Sequence, residues 1–234
     1  MKTTVLTIDV EGDWGGSSTR GVDEVLPRLV TRLGRAGVAA TFFVVGDLID
    51  AVAPHLRGTD HEVGSHSMTH RRLGGLDDHQ QRWEMTASRA AIEAAGFDVR
   101  GFRAPYLAPT EATGSQLAEA GYCYDASAGR LHPFRRSAGA GTGAAVSVGS
   151  LRGGLPFTFT WLRMIGARSR HLLPDRGVVL CHLHDFLDRG HGWSALPSPV
   201  RRVHARNSGA PAWVLLDGML DDPARRFTTA GALV

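Results

Sequence analysis

The sequence predicts an α/β protein folded as a distorted (β/α) barrel of seven or eight strands. Three observations lead there. Short apolar runs alternate with helical stretches along the chain. Seven or eight of the runs are strand-like, and no Gly-x-Gly-x-x-Gly follows the first, which favours a barrel over a dinucleotide-binding sheet. Polar residues gather where the runs end, which is where barrels and open α/β sheets place chemistry. The 234 residues suffice to bury a full core and fit one domain spanning 1–234 better than two.

The elements follow in order. Residues 3–8 form the first apolar run. Residues 22–36 place Val22, Val25, Leu26, Leu29, Val30 and Leu33 at helical spacing, closed by Gly34 and Gly37. Residues 41–45 read as a second buried strand and 62–65 as a short third one. A long amphipathic helix is expected over 77–95, ending at Gly96. Residues 101–103 form a fourth strand stopped by Pro105, and 110–120 a helix capped by Thr110. The stretch 129–156 has no period and reads as loop, with 144–148 as its one strand candidate. Residues 178–181 form a late strand running into His182 and His184. Gly, Pro and Ser clusters fill 189–211 around a short helix near 200–206. The last helix is expected at 211–220 and the last strand at 226–228.

Composition narrows the function classes. The formal net charge is +3, from 26 Lys+Arg against 23 Asp+Glu, too small over this length to argue for nucleic acid. Lys2 is the one lysine, so the basic content is nearly all arginine, in runs of at most two such as Arg71-Arg72. Cys123 and Cys181 are too few for a disulfide framework and read as reduced, mostly buried thiols. No apolar run approaches the ~20 residues of a membrane span, and no leader pattern precedes the first strand. The expectation is a cytoplasmic protein.

Four segments carry chemistry. Asp9 and Glu11 flank Val10 at the end of the first strand, so their side chains share a face. Two carboxylates there need a cation or hydrogen bonds, although Glu11 and Asp13 also read as members of a polar loop. His66 and His70 have the i, i+4 spacing that puts two imidazoles on one side of a helical turn. Two imidazoles and a carboxylate, with coordination positions left open, are what a hydrolytic metal site needs. Arg103 can pair with a carboxylate and hold it ionised, and Pro105 restricts Ala104 to extended backbone, fixing a Tyr106 N–H able to serve an oxyanion. Either His182 or His184 suits a general acid, with His182 read as the structural partner.

Together these segments resemble the polysaccharide deacetylase (NodB-like, carbohydrate esterase family 4-like) family. The chain has a first strand ending in an Asp-x-Glu variant of the aspartate motif, then His-Ser-x-Thr-His, Arg-x-Pro-Tyr and a late Leu-x-His, in the family's order. Residues 41–46, 61–66 and 124–127 are similar to its framework segments. The resemblance implies a NodB-like distorted barrel that binds a divalent metal, zinc first, with cobalt, nickel or manganese as alternatives. It implies hydrolysis of an N-acyl amide on a sugar or glycoconjugate. By this resemblance Asp9 is the base, and Glu11, His66 and His70 hold the metal. Arg103 orients Asp9, the Tyr106 N–H holds the oxyanion, and His184 is the acid. Two departures stand out. Val10 separates two acids that are adjacent in the commoner pattern, so the roles of Asp9 and Glu11 are interchangeable on sequence. The family's Asp-x-x-x-Trp segment is also missing, leaving Trp161, Leu180 and Phe186 as candidates for the acyl pocket. A deformylase, another non-peptide amide hydrolase, or a carbohydrate-binding homologue without catalysis are the alternative readings.

Overall fold

The computed structural model describes residues 1–13, 18–127, 144–146, 158–188 and 198–234. Most of the loop expected over 129–156, the outer part of the strand expected at 144–148, and 189–197 lie outside the described residues.

Among the described residues seven strands make one sheet: β1 (Lys2–Val10), β2 (Thr41–Val44), β3 (Glu62–Ser65), β4 (Gly101–Phe102), β5 (Tyr124–Asp125), β6 (Arg176–His182) and β7 (Arg225–Thr228). Every pairing is parallel, in the order β5-β4-β3-β2-β1-β6. β1 is the hub. One edge pairs with β6 from Thr3 to Asp9, while the other takes β7 over Lys2–Val5 and β2 over Thr7–Val10. Single parallel bridges, Asp125 to Ala145 and Thr158 to Leu180, extend the two ends of the sheet.

The sheet is curled, and the core records it. Alternation along β1 sends Leu6, Ile8 and Val10 outward into a large cluster shared with the helices. Val5 points the other way and meets Phe43, Tyr124, Ala126, Val178 and Ala230. Tyr124 of β5 and Val178 of β6, from opposite ends of the strand order, belong to this one cluster on the concave face, as a barrel interior requires. The close fit explains Gly64, where a Cβ would stand 2.7 Å from the Phe43 ring. The architecture is the expected parallel half-barrel with helices outside.

The helices are α1 (Leu26–Arg35), α2 (Ile49–Leu56), α3 (Asp78–Ala94), α4 (Thr113–Glu119), α5 (Phe159–Ile165), α6 (Ser198–Ala205) and α7 (Ala210–Leu220). A π-turn, Gly21–Val25, leads into α1, so the expected helix begins with wider winding. Asp77 caps α3 in a reciprocal box with Gln80, worth about 1 kcal/mol. α4 starts later than expected. Thr110 does not cap it; its N–H donates to Thr113 Oγ1 and its hydroxyl to Gln81 Oε1. α2 and α5 were not legible as helices. Among the described residues no helix is long and apolar enough to cross a membrane. Cys181 is buried, but Cys123 is exposed, against expectation.

Candidate metal centre and active site

The C-terminal ends of β1, β3, β4 and β6 converge at one mouth of the half-barrel. β1 brings Asp9 there, 3 % exposed, and Glu11 follows two residues on, on the same side.

β3 leads to His66 and His70. The segment is not the helical turn that the spacing predicts. Ser67 and His70 take left-handed φ angles of 65° and 60°, and this double reversal brings the imidazole centroids within 5.0 Å. Glu84, fully buried on α3, clamps the reversal. It accepts the Met68 and Thr69 N–H groups at 2.8 Å and the Thr69 hydroxyl.

The donor set suits a cation. Glu11, His66 and His70 each offer one ligand atom, all within 4.8 Å of one another. The His66 Nδ1 lies 2.8 Å from the Arg103 carbonyl, which can only accept, so the proton sits on Nδ1 and the Nε2 lone pair faces the site. That Nε2 is 3.5 Å from Glu11 Oε2. His70 Nε2 is 2.6 Å from the same oxygen, yet it is buried and makes no hydrogen bond of proper geometry. Lone pairs aimed at one point without a shared proton are what a divalent ion would satisfy. Burial would raise the Glu11 carboxyl pKa; the neighbouring His66 and His70 imidazoles and the charge of His182 overcome it and hold it well below its ordinary value.

Arg103 sits beneath, fully buried. Its Nη1 donates to Asp9 Oδ1 at 2.6 Å and to Thr7 Oγ1 at 3.0 Å, and its Nε to the Ala126 carbonyl at 3.1 Å. Phe43 covers its face at 4.2 Å. Asp9 is thus held by one oxygen. The other, Oδ2, faces His66 Nε2 at 3.7 Å and His182 Nε2 at 4.0 Å.

The two late histidines are placed differently from expectation. β6 pairs His182 with Asp9 in register, so His182, not His184, opposes the carboxylate. The His182 N–H donates to Asp185 Oδ2 at 3.1 Å, and its Nδ1 lies 3.9 Å from that oxygen, an ion pair rather than a hydrogen bond. Burial works to lower the His182 pKa, but Asp185, Glu11 and Asp9 outweigh it and bring it up to about 9. His184 is stacked on His182 at 4.7 Å, and burial followed by the charge of His182 takes its pKa down to about 3. Near neutral pH it is a neutral imidazole rather than an imidazolium. Asp185 is itself anchored by Arg163 Nε at 2.7 Å and Thr160 Oγ1 at 2.8 Å. Burial opposes its charge, but His182 and Arg163 hold its carboxyl far below the usual range.

Ala104 is extended, as Pro105 requires, and Tyr106 follows with φ 60°. The Tyr106 ring is 4.9 Å from that of His70. Leu180 lies two residues below His182 on the same face of β6, opposite Thr7. Trp161 is 38 % exposed on the first turn of α5, beside Thr160. Phe186 does not join them. It is buried in the outer cluster between Phe159 and Trp213, with ring centroids at 5.0 and 4.5 Å, so it is core rather than pocket wall.

Sequence reasoning missed Glu84, Asp185 and Arg163. The signal for Glu84 was an acid on the apolar face of α3, in line with Gln81, Met85, Ser88 and Ile92. Asp185 follows His184 directly, but its tie to His182 arises only because the backbone turns after β6.

Two carboxylates, two converging imidazoles and a buried arginine thus meet at the mouth of a curled parallel sheet. The profile of the polysaccharide deacetylase family matches residues 2–124, more than half of the chain, and the chain belongs to that family. Solved structures agree on the fold. A Mycobacterium smegmatis protein provisionally described as a polysaccharide deacetylase is 19 % identical, with a TM-score of 0.66 over 99 % of this chain and 88 % of that one. The Bc1960 peptidoglycan N-acetylglucosamine deacetylase is 16 % identical, at TM-score 0.58 over 98 % and 86 %. A Bacillus anthracis protein described as a carbohydrate esterase family 4 pseudoenzyme is 18 % identical, at 0.61 over 99 % and 65 %.

Proposed function

We propose that this chain is one catalytic domain that hydrolyses an N-acyl amide, foremost N-acetyl, on a sugar or glycoconjugate, with a divalent metal. The observation that carries the reading is the convergence of Glu11, His66 and His70 within 4.8 Å, with Asp9 and His182 beside them. Glu11, His66 and His70 would hold the ion, zinc first, with cobalt, nickel and manganese as alternatives. A bound ion supplies Lewis acidity toward the acyl oxygen and acidifies water.

The chain's own groups do the rest. Asp9 Oδ2, its partner oxygen pinned by Arg103, takes a proton from the attacking water. The Tyr106 N–H donates to the oxyanion as it develops. His182 Nε2 delivers a proton to the leaving amine, with Asp185 holding the imidazole in place. Assigning the acid to His182 replaces the sequence-based choice of His184. Leu180 and Trp161 line the acyl side.

The test is acetate release from N-acetylated sugars by protein stripped with chelator and then reloaded with zinc, cobalt, nickel or manganese. Release restored by an ion and abolished in Asp9→Asn supports the reading. A deformylase would release formate from the N-formyl analogue faster than acetate. A degenerate carbohydrate-binding homologue would retain no ion and gain no turnover from one.

A further inference from the structure

Two residues beyond His70, Arg72 is an exposed arginine held in place by an aromatic ring. Its guanidinium carbon lies 4.6 Å from the centroid of the Tyr106 ring, and that ring lies 4.9 Å from the ring of His70. The cation therefore stands no more than about 10 Å from the metal-site imidazole, a separation comparable with the width of one or two sugar rings. The support is rigid. Tyr106 and Leu107 both hold positive φ, 60° and 49°, after Pro105, and His70 itself sits at φ 60°. Half of Tyr106 is exposed, so the stack stands at the rim.

Several of the described arginines are neutralised by carboxylates, whereas Arg72, like Arg28 on Trp213, is held by an aromatic ring. Arg20, Arg89 and Arg82 pair with Glu24, Glu93 and Glu119, and the buried Arg103 and Arg163 pair with Asp9 and Asp185. Among the described residues Arg72 forms no ion pair and no hydrogen bond of its side chain; the aromatic ring is its one support. Arg71 beside it is also exposed. With a divalent ion bound, Asp9, Glu11 and Arg103 leave the centre net positive, so nothing there repels an anion. A planar guanidinium without a carboxylate partner is suited to bidentate capture of phosphate or carboxylate.

We propose that Arg72 binds an anionic group, phosphate or carboxylate, on the N-acyl sugar substrate, and that the site discriminates in favour of acidic glycoconjugates. This rests on the hydrolase reading above, but its first test does not need turnover. Equilibrium binding of N-acetylglucosamine, its 1-phosphate, an N-acetylated sugar acid, and inorganic phosphate alone is measured on zinc-loaded wild type, Arg72→Gln and Arg72→Lys. The expected result is that one anionic sugar binds wild type at least tenfold tighter than the neutral sugar. Arg72→Gln should erase that ratio, and Arg72→Lys should keep part of it. Inorganic phosphate reports capture by the ion itself, which Arg72→Gln would leave unchanged. The acid preferred, phosphate or carboxylate, identifies the source. Equal affinity for neutral and anionic sugars, or a preference that survives in Arg72→Gln, overturns the proposal. The same ratio is then read in kcat/KM. An Arg72-dependent binding preference without acyl release sinks the hydrolase reading and leaves this one standing.

Discussion

At the residue scale, the proposed proton transfers fall to two groups that approach within 4.0 Å across the site, Asp9 and His182. Asp9→Asn should keep the ion and lower kcat by about 10²–10⁴-fold, the usual worth of a positioned base. His182→Asn should lower kcat by a similar factor, and His184→Asn by less than about tenfold per folded molecule. Equal losses at the two histidines would return the acid role to His184. The sequence made both histidines visible but favoured His184, because it does not reveal the strand register in which His182 is the residue that pairs with Asp9. A second residue sets a pH dependence of stability. His61 accepts the Ala40 N–H at Nδ1, and burial lowers its pKa. Folded His61 therefore stays neutral, while unfolded His61 takes a proton below its ordinary pKa of ~6.5. Stability should fall as pH drops from about 7 toward 5, measured as the urea midpoint, and His61→Asn should flatten that slope.

At the element scale, the loop between β3 and α3 decides whether the proposed metal ligands meet. The sequence spacing predicts that the two imidazoles meet on a helical turn, and the chain does not form that turn. His66 and His70 converge through two left-handed residues, a property of tertiary clamping that helical periodicity does not encode. The clamp is Glu84, which accepts three donors from the loop. Glu84→Gln places an amide NH₂ among those donors. The expected loss is about 1–3 kcal/mol of stability and 10–100-fold in zinc affinity, read by denaturant unfolding and calorimetric titration. Unchanged zinc affinity would make Glu84 a purely structural acid. The long periodic helix α3 was legible within a residue at each end, because Asp77 and Gln80 cap it and Gly96 closes it. α5 was not, since it is a seven-residue helix carrying two buried polar side chains, Thr160 and Arg163, that face Asp185 instead of an apolar core.

At the scale of the whole molecule, the alternation of apolar runs and helices was enough to predict the curled parallel sheet, because its central strands β1 and β2 are buried on both faces. The concave face shows what that alternation does not: going up β1, apolar Val5 gives way to Thr7 and then Asp9, so the interior turns polar toward the mouth. Arg103 crosses that boundary, packed on Phe43 and bonded to Asp9, and couples the barrel core to the site. An ion bound to the folded chain alone should stabilise it by about 2.7 kcal/mol at a hundredfold excess over Kd, roughly 5–10 °C in Tm for a chain of this size. Chelator should reverse the shift, and the reversal is expected to be absent in His70→Ala.

Metal content per chain, measured by elemental analysis on purified wild type, Asp9→Asn, Glu11→Gln, His66→Ala and His70→Ala, tests the central claim most directly. About one divalent ion in wild type and Asp9→Asn, with loss in the other three, is the predicted result. An ion retained in His66→Ala and His70→Ala would contradict it, as would one lost from Asp9→Asn but kept in Glu11→Gln.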